Sequence, residues 1–420
     1  MTESPGKDDQ LMAEVVAREN WQVALKQVKS NRGSAGVDGM TVDERPAYLR
    51  VHWPQIREQL LTGHYQPQPI KRVEIPKPGG GVRKLGISTV RDRFLQQALL
   101  QVLQPRWDST FSEHSYGFRP GRSAFHAVAQ AQQYLRAGYR WVVDIDLEKF
   151  FDRVNPDNLM GQVEKRIRDK GVSALIRRYL KTGILAEGLV RAIDEGTAQG
   201  GPLSPLLSNL LLDQLDRELE QRGHRFVRYA DDANLYVRSE RAGRRVMESG
   251  SRFVLRKLKL RVKGEKSAVG RPWERKFLGV TFTAGSKPKG RIAPQALKRF
   301  KARIGEHTSR TRGISLERMI RELRPYLVGW RNYFGFCEGR SILKELDSWI
   351  RRRLRCMLWK QWGRRRYREL RKRGVSQELA WNTAKSAQGP WRLSRSPALS
   401  FALPAACVAF RGLPRVAEAS

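Results

Sequence analysis

The chain is 420 residues long, 40% hydrophobic and 29% charged, with a formal net charge of +38 and an isoelectric point near 10.9. That length accommodates two or three domains with substantial cores, and the charge does not fit a typical soluble enzyme of small molecules. Such an excess creates a strong positive field and points to polyanions, nucleic acid first. An anionic membrane surface is the weaker rival, because the cations are spread along the chain and not gathered on one amphipathic helix. Residues 1–9 have no apolar core, so a signal peptide is not expected, and no apolar run is long enough to cross a bilayer. Cys337, Cys356 and Cys407 are odd in number and too widely spaced for a Cys-x-x-Cys zinc site. The six histidines form no metal-ligand pair at helical spacing. A bacterial-type cytoplasmic enzyme without structural zinc is the expectation.

In chain order, residues 11–30 read as a helix with a stripe of Val15, Val16, Trp21, Leu25 and Val28. A glycine-rich loop occupies 31–39, and helical pattern returns until about Leu61. From Pro69 to Ile87 the chain reads as a hairpin whose tip carries Lys77 and whose return strand carries Arg83. A helix through Phe94, Leu95, Ala98, Leu99, Val102 and Leu103 is expected to stop at Pro105. Residues 141–147 form a short apolar strand carrying Asp144 and Asp146. Ser204 reads as an N-cap with Pro205 at the first helical position. The helix that follows buries Leu206, Leu207, Leu210, Leu211, Leu215 and Leu219. A last strand pair surrounds 277–282. From Lys298 to Gly374 there are 24 Lys and Arg against 7 Asp and Glu, interleaved with aromatics on a helical pattern. The last 45 residues read as a short, proline-interrupted module.

Chemistry enters at Tyr229-Ala230-Asp231-Asp232, a compact polar turn between two stretches of alternating apolar residues, the pattern of a β-hairpin. Adjacent carboxylates repel each other unless a cation neutralises them, and hard divalent ions take carboxylate and phosphate oxygens together. An Asp-Asp pair in a turn is common by itself; a second acidic strand gives it weight. Asp146 ends such a strand, and Asp144, two residues earlier, lies on the same face, so pattern alone does not separate them. One of them with the hairpin acids makes an adequate cage for two divalent ions, the requirement for nucleotidyl transfer.

These blocks, taken together, resemble a bacterial group II intron reverse transcriptase/maturase. The resemblance runs in order from about residue 10 to 375. It includes the loop at 31–39, Ile75-Pro76-Lys77-Pro78 through Leu85-Gly86-Ile87, and Ser115-Tyr116-Gly117-Phe118-Arg119-Pro120-Gly121-Arg122-Ser123. It continues with Asp146-Leu147-Glu148-Lys149-Phe150-Phe151-Asp152, Gln199-Gly200-Gly201-Pro202-Leu203-Ser204-Pro205, the acidic turn, and Phe277-Leu278-Gly279-Val280. Gly329-Trp330-Arg331-Asn332-Tyr333-Phe334 resembles the maturase (thumb) block.

The resemblance implies an α+β right-hand polymerase. Its expected parts are an N-terminal extension (1–62), fingers and palm (63–290), a helical thumb or maturase domain (295–375) and a short C-terminal DNA-contacting module (376–420), as in endonuclease-lacking members. It implies Asp146, Asp231 and Asp232 as the catalytic, metal-binding triad with the Leu147 carbonyl beside them, and two Mg²⁺ ions for which Mn²⁺ substitutes. For the nucleotide it implies Lys71, Lys77, Arg83, Phe151, Gln199 and Lys266. Phe151 would exclude a ribose 2′-hydroxyl, with core packing as its alternative. For RNA it implies Arg119 and Arg122, with structural ion pairs as their alternative, together with Arg331, Arg351, Arg352 and Arg353. The implied partners are intron RNA, an RNA template with a DNA primer, target DNA and deoxynucleoside triphosphates, with no membrane and with nucleoid association when on DNA. The rival expectations are a non-catalytic splicing chaperone and a CRISPR-associated or diversity-generating reverse transcriptase.

Overall fold

The computed structural model describes residues 10–76, 81–148, 150–186, 189–191, 200–264, 267–404 and 412–417. The chain divides into two compact units, Met1–Arg271 and Pro272–Ser420.

The first unit opens with two helices, Leu11–Val15 and Arg18–Ser30, where one was expected. The break has a polar cause: Ala17 is extended, and the Asn20 amide reaches back to donate to the Val15 carbonyl at 2.9 Å and across to the Ala98 carbonyl at 3.1 Å. Strands β1 (Ile70–Pro76), β2 (Val82–Ile87), β3 (Trp141–Asp146), β4 (Ile184–Ala186), β5 (Leu189–Arg191), β6 (Arg225–Tyr229), β7 (Asp232–Val237) and β8 (Ala268–Gly270) follow. Among the described residues they build two four-stranded sheets, ordered β2-β1-β4-β5 and β6-β7-β3-β8.

The helix over the expected 94–103 stretch runs from Val90 to Asp108, through Pro105. Proline removes one N–H but does not forbid the turn when packing holds it. Buried Trp107 lies beyond the proline, and the Arg106 guanidinium donates to the Val102 carbonyl at 2.8 Å. Thr89, not foreseen as a cap, accepts from the Asp92 backbone N–H. The leucine helix spans Ser204–Gln221 with Ser204 inside it and Leu203 as the cap residue, so the helix begins one position earlier than expected. Its six expected leucines are all buried in the main core, each contributing roughly 1.5–3 kcal/mol of burial free energy. Helix Glu240–Arg256 lies close on the β3–β8 part of the second sheet: a Cβ on Gly243 would meet Val269 at 2.5 Å and one on Gly250 would meet Ile145 at 3.4 Å.

The second unit carries β9 (Val280–Phe282) and β10 (Gly290–Ile292), an antiparallel pair. Its helices are Pro294–His307, Leu316–Phe334, Arg340–Trp362 and Arg366–Lys372, followed by Gln377–Lys385, Pro390–Leu393 and Pro397–Ala402. Many of the aromatics pack: Trp330, Phe334, Trp359 and Trp362 are buried. The short terminal helices share a core with the end of the longest helix, where Trp359 and Trp362 meet Leu370, Val375, Ala380, Leu393 and Leu399. Asp347, buried on that long helix, accepts the backbone N–H groups of Val416 at 2.8 Å and Ala417 at 3.0 Å. The chain's last described turn is thus tied to the helix by a charged acceptor. Replacing Asp347 with Ala removes both bonds and should lower the unfolding free energy of this unit by about 2 kcal/mol, read as a lower denaturant midpoint.

Candidate active site

Register decides the site. In the antiparallel pair β3–β7, Asp146 lies directly opposite Asp232, Asp144 opposite Asn234 and Val142 opposite Tyr236. Opposed residues share a face of the sheet, so Asp144, Asp146, Asp232 and Asn234 form one polar row. The intervening residues Val143, Ile145, Ala233, Leu235 and Val237 belong to the hydrophobic core. A slip of one residue would bury the acids and expose five apolar side chains. Facing Cα atoms in such a ladder are about 4.5–5.5 Å apart, within reach of one shared cation. The two acids of the turn are not equivalent. Asp232 begins β7 and is paired with Tyr229, whereas Asp231 sits in the two-residue turn behind Ala230, whose φ is +58°.

The end of β3 is clamped by the segment before β8. The Asp146 backbone N–H donates to Ser267 Oγ at 3.0 Å. The Lys263 N–H donates to the Asp146 carbonyl, and the Glu148 N–H to the Arg261 carbonyl, both at 2.8 Å. These bonds flank the bridge between Leu147 and Val262. Among the described residues no three His, Cys, Asp or Glu side chains form a ready-made metal cage. Hard divalent ions take carboxylate and phosphate oxygens together. Asp146 and Asp232 side by side, with Asp231 and the Leu147 carbonyl adjacent in sequence, supply hard oxygens of that kind.

The acidic turn is held from its other side by the loop at 114–118 and the leucine helix. Gly117 abuts the turn so closely that a Cβ there would lie 2.3 Å from the Ala230 nitrogen. Ser115 bridges Arg228 in parallel, with Arg228 N–H donating to the His114 carbonyl at 2.9 Å and Tyr116 N–H to the Arg228 carbonyl at 2.8 Å. Arg228 and Asp216 form a fully buried ion pair. Burial pushes the Asp216 carboxyl above its usual range, and the Arg228 charge opposes that shift. Neither residue belongs to the motifs read from the sequence. A signal was available all the same: an arginine in the apolar run of β6, and an aspartate on the leucine face of the neighbouring helix.

The nucleotide residues divide. Lys71 is exposed on β1; it pairs with Ile87, as Ile75 pairs with Arg83, so positions 71 and 83 share one face of the hairpin. Phe151 is half-buried against the main core, edge-on to Phe150 at 5.1 Å, the geometry of its packing alternative. Lys77, Gln199 and Lys266 lie outside the described residues. The two glycines after Gln199 have a steric reason. A Cβ on Gly200, whose φ is +131°, would meet the Gly86 carbonyl of β2 at 2.6 Å, and one on Gly201 would meet Gln96 Oε1 at 2.2 Å.

Four arginines of the expected RNA set have partners within the protein. Arg119 is buried and commits its guanidinium to Asp108 and to the Ser112 and Ser115 carbonyls. Arg122 binds the Glu113 side chain and carbonyl. Both are structural ion pairs, the alternative reading of each. Arg352 donates to the Trp391 carbonyl at 3.0 Å and stacks 3.7 Å from the Trp391 ring. Arg353 donates to Thr308 Oγ1 and the Gly305 carbonyl. These two arginines tie helices together. Arg331 and Arg351 are half-exposed, whereas Arg364, Arg365 and Arg368 are exposed.

Two family models match the chain: "Reverse transcriptase (RNA-dependent DNA polymerase)" over residues 75–282 and "Group II intron, maturase-specific domain" over residues 297–374. The chain is therefore an α+β protein with a reverse transcriptase domain followed by a helical C-terminal region. The two matched segments, and the similarity to intron-encoded proteins, are consistent with a group II intron reverse transcriptase/maturase. It is 40% identical over 220 residues to Protein YkfC of Escherichia coli, across 51% of this chain and 58% of that one. It is 34% identical to the group II intron-encoded protein LtrA of Lactococcus lactis, across 50% of this chain and 35% of that one. Against the putative COX1/OXI3 intron 2 protein of Saccharomyces cerevisiae the figures are 31%, 48% and 23%. The match therefore spans less than two thirds of each of these relatives. A chain of a solved structure titled "Partial Cas6-RT-Cas1--Cas2 complex" is 26% identical over 58% of this chain and 42% of its own, with a TM-score of 0.38. The reverse transcriptase family generally uses divalent metal ions. No helix among the described residues is long and apolar enough to cross a membrane.

Gly117→Ala would push methyl against backbone, with no flexible side chain to yield. Primer extension should fall by roughly a hundredfold, as expected when a reacting group is misplaced by about 1 Å, while RNA affinity stays near wild type. Extension at the wild-type rate would show that the loop does not constrain the turn.

Proposed function

We propose that this chain is an RNA-directed DNA polymerase encoded by a group II intron, which copies intron RNA into DNA during retrohoming and assists its splicing. The observation that carries the proposal is the direct opposition of Asp146 and Asp232 on the polar face of an otherwise apolar sheet. Asp146, Asp231, Asp232 and the Leu147 carbonyl would hold divalent ions, Mg²⁺ with Mn²⁺ as substitute. Such ions supply activation of a primer 3′-hydroxyl and charge stabilisation of the departing pyrophosphate. The protein's own share is positioning. The sheet register sets the spacing of the two acids, and Arg261, Val262, Lys263 and Ser267 fix the end of β3. Lys71, Lys77, Arg83 and Lys266 are proposed to neutralise the incoming triphosphate, with Phe151 and Gln199 shaping the nucleotide pocket.

For RNA, the cationic helical region is proposed as the binding surface, with Arg331 and Arg351 joined by the exposed Arg364, Arg365 and Arg368. Lys and Arg on phosphates release counterions and supply affinity without sequence choice. The short terminal helices bear exposed Trp381, Trp391 and Phe401. They are proposed to meet target DNA, which would place the protein on the nucleoid. A purely non-catalytic chaperone reading has no use for a register that pairs two carboxylates. A CRISPR-associated or diversity-generating role does not call for a maturase-specific segment at 297–374.

Asp232→Ala should abolish RNA-templated primer extension while RNA affinity changes less than about twofold, because only the ion site is removed. Extension near the wild-type rate would refute the site. Arg364, Arg365 and Arg368 replaced together by Gln should reduce the slope of log affinity against log salt by about 0.7 to 0.9 for each phosphate that is no longer neutralised. An unchanged slope would move the RNA surface elsewhere.

A further inference from the structure

We propose that Arg228 is a positioning residue for the metal-binding aspartates: paired with Asp216, its guanidinium fixes the left-handed Ala230 turn that sets Asp231 and Asp232 in place. This rests on the reading of Asp146, Asp231 and Asp232 as the ion site.

Every arm of the guanidinium has a partner. Nε donates to both Asp216 oxygens at 2.8 and 3.0 Å, and Nη2 donates to Asp216 Oδ2 at 2.6 Å and Ser115 Oγ at 2.8 Å. Nη1 donates to Asn209 Oδ1 at 3.0 Å and to the Ala230 carbonyl at 2.9 Å. Asn209 in turn donates to the Gly117 carbonyl at 2.8 Å, and Gly117 is the residue against which Ala230 rests. One planar fork therefore joins the leucine helix, the 114–118 loop and the acidic turn.

The need for such a brace lies in the charges across the sheet. Like charges directly opposite each other are destabilising, so Asp146 and Asp232 push the start of β7 away from β3. A side chain at 230 with φ +58° adds a second strain, since left-handed conformation disfavours residues with a Cβ. A charge-assisted bond to the Ala230 carbonyl opposes both, and it does so from the sheet's apolar side. Arg228 alternates with Val227, which faces Asn234 on the polar row. Arg228 thus acts on the aspartates only through the backbone. A lysine would keep the charge opposite Asp216 but has no rigid fork to reach Ala230 and Asn209 together.

The test uses the full chain and the Arg228→Lys variant. Mn²⁺ binding is followed by the loss of the free-ion electron paramagnetic resonance signal, and primer extension is resolved into kcat and KM for the nucleotide. Thermal unfolding and RNA affinity are measured in parallel. The expected result is Mn²⁺ affinity weakened several-fold and kcat lowered by roughly tenfold to a hundredfold. Nucleotide KM and RNA affinity should stay close to wild type, while the melting temperature falls because buried acceptors lose their donors. Asn209→Ala, which withdraws one acceptor from Nη1 and the bond to Gly117, should shift Mn²⁺ affinity and kcat in the same direction by less. It decides the question if Arg228→Lys does not fold. Wild-type Mn²⁺ affinity and kcat per folded molecule in the variant that folds would overturn the proposal. Asp232→Asn is the control. If it leaves Mn²⁺ binding unchanged, the ion-site reading itself fails. If wild type binds Mn²⁺ through Asp232 but extends no primer, the polymerase reading fails while the role of Arg228 stands on the binding data.

Discussion

Two carboxylates facing each other across antiparallel strands are the constraint from which the first unit is built. Asp146 and Asp232 can be neighbours only in one register of β3 against β7. That register is enforced by the alternate residues Val143, Ile145, Leu235 and Val237, which have to reach the core. Hydrophobic burial thus sets the spacing of a polar site that it never touches. The opposing term is electrostatic, and it falls at the strand ends, where Lys263 and Ser267 hold Asp146 and the 114–118 loop holds the turn.

The Arg228–Asp216 pair shows how such a site is stabilised from behind. A buried ion pair is seldom the best filling for a core. Desolvation of two charges costs several kcal/mol per ion, and replacing the pair by apolar side chains is often neutral or stabilising. Breaking it by removing one partner costs about 3–5 kcal/mol. A fork with five donors is suited to this position by direction and not by net energy. It fixes a helix, a loop and a carbonyl at once, which apolar packing cannot do with the same angular definition.

The second unit solves a different problem, a helical body dense in arginine. Part of that charge is structural. Arg366 stacks on Trp359 and Arg373 on Trp362, both tryptophans buried, while Arg352 lies over one face of Trp391, which stays exposed. The remaining cations, such as Arg364, Arg365 and Arg368, are exposed and add to the positive field around the chain. Counting charges along the chain does not separate these populations, because whether an arginine lies over an indole depends on which helices are adjacent.

Local patterns in the chain were enough to announce the strands at 70–87, 141–147 and 226–237, the leucine helix, the cationic helices and the aspartates themselves. Each of these follows from residue type and spacing over a few positions. The same patterns misplaced the helix end at Pro105 and missed the break at Ala17, where Trp107 is buried in the core and Asn20 bonds the Ala98 carbonyl. The tertiary structure alone decided that Asp146 faces Asp232 while Asp144 faces Asn234. It alone showed that Gly117 is small because Ala230 leans on it, and that Arg119 is consumed by its own loop. The physical reason is that propensity and periodicity are properties of neighbouring residues. A hydrogen-bond partner, a steric gap or a shared ion is a property of segments that the fold brings together from distant parts of the chain.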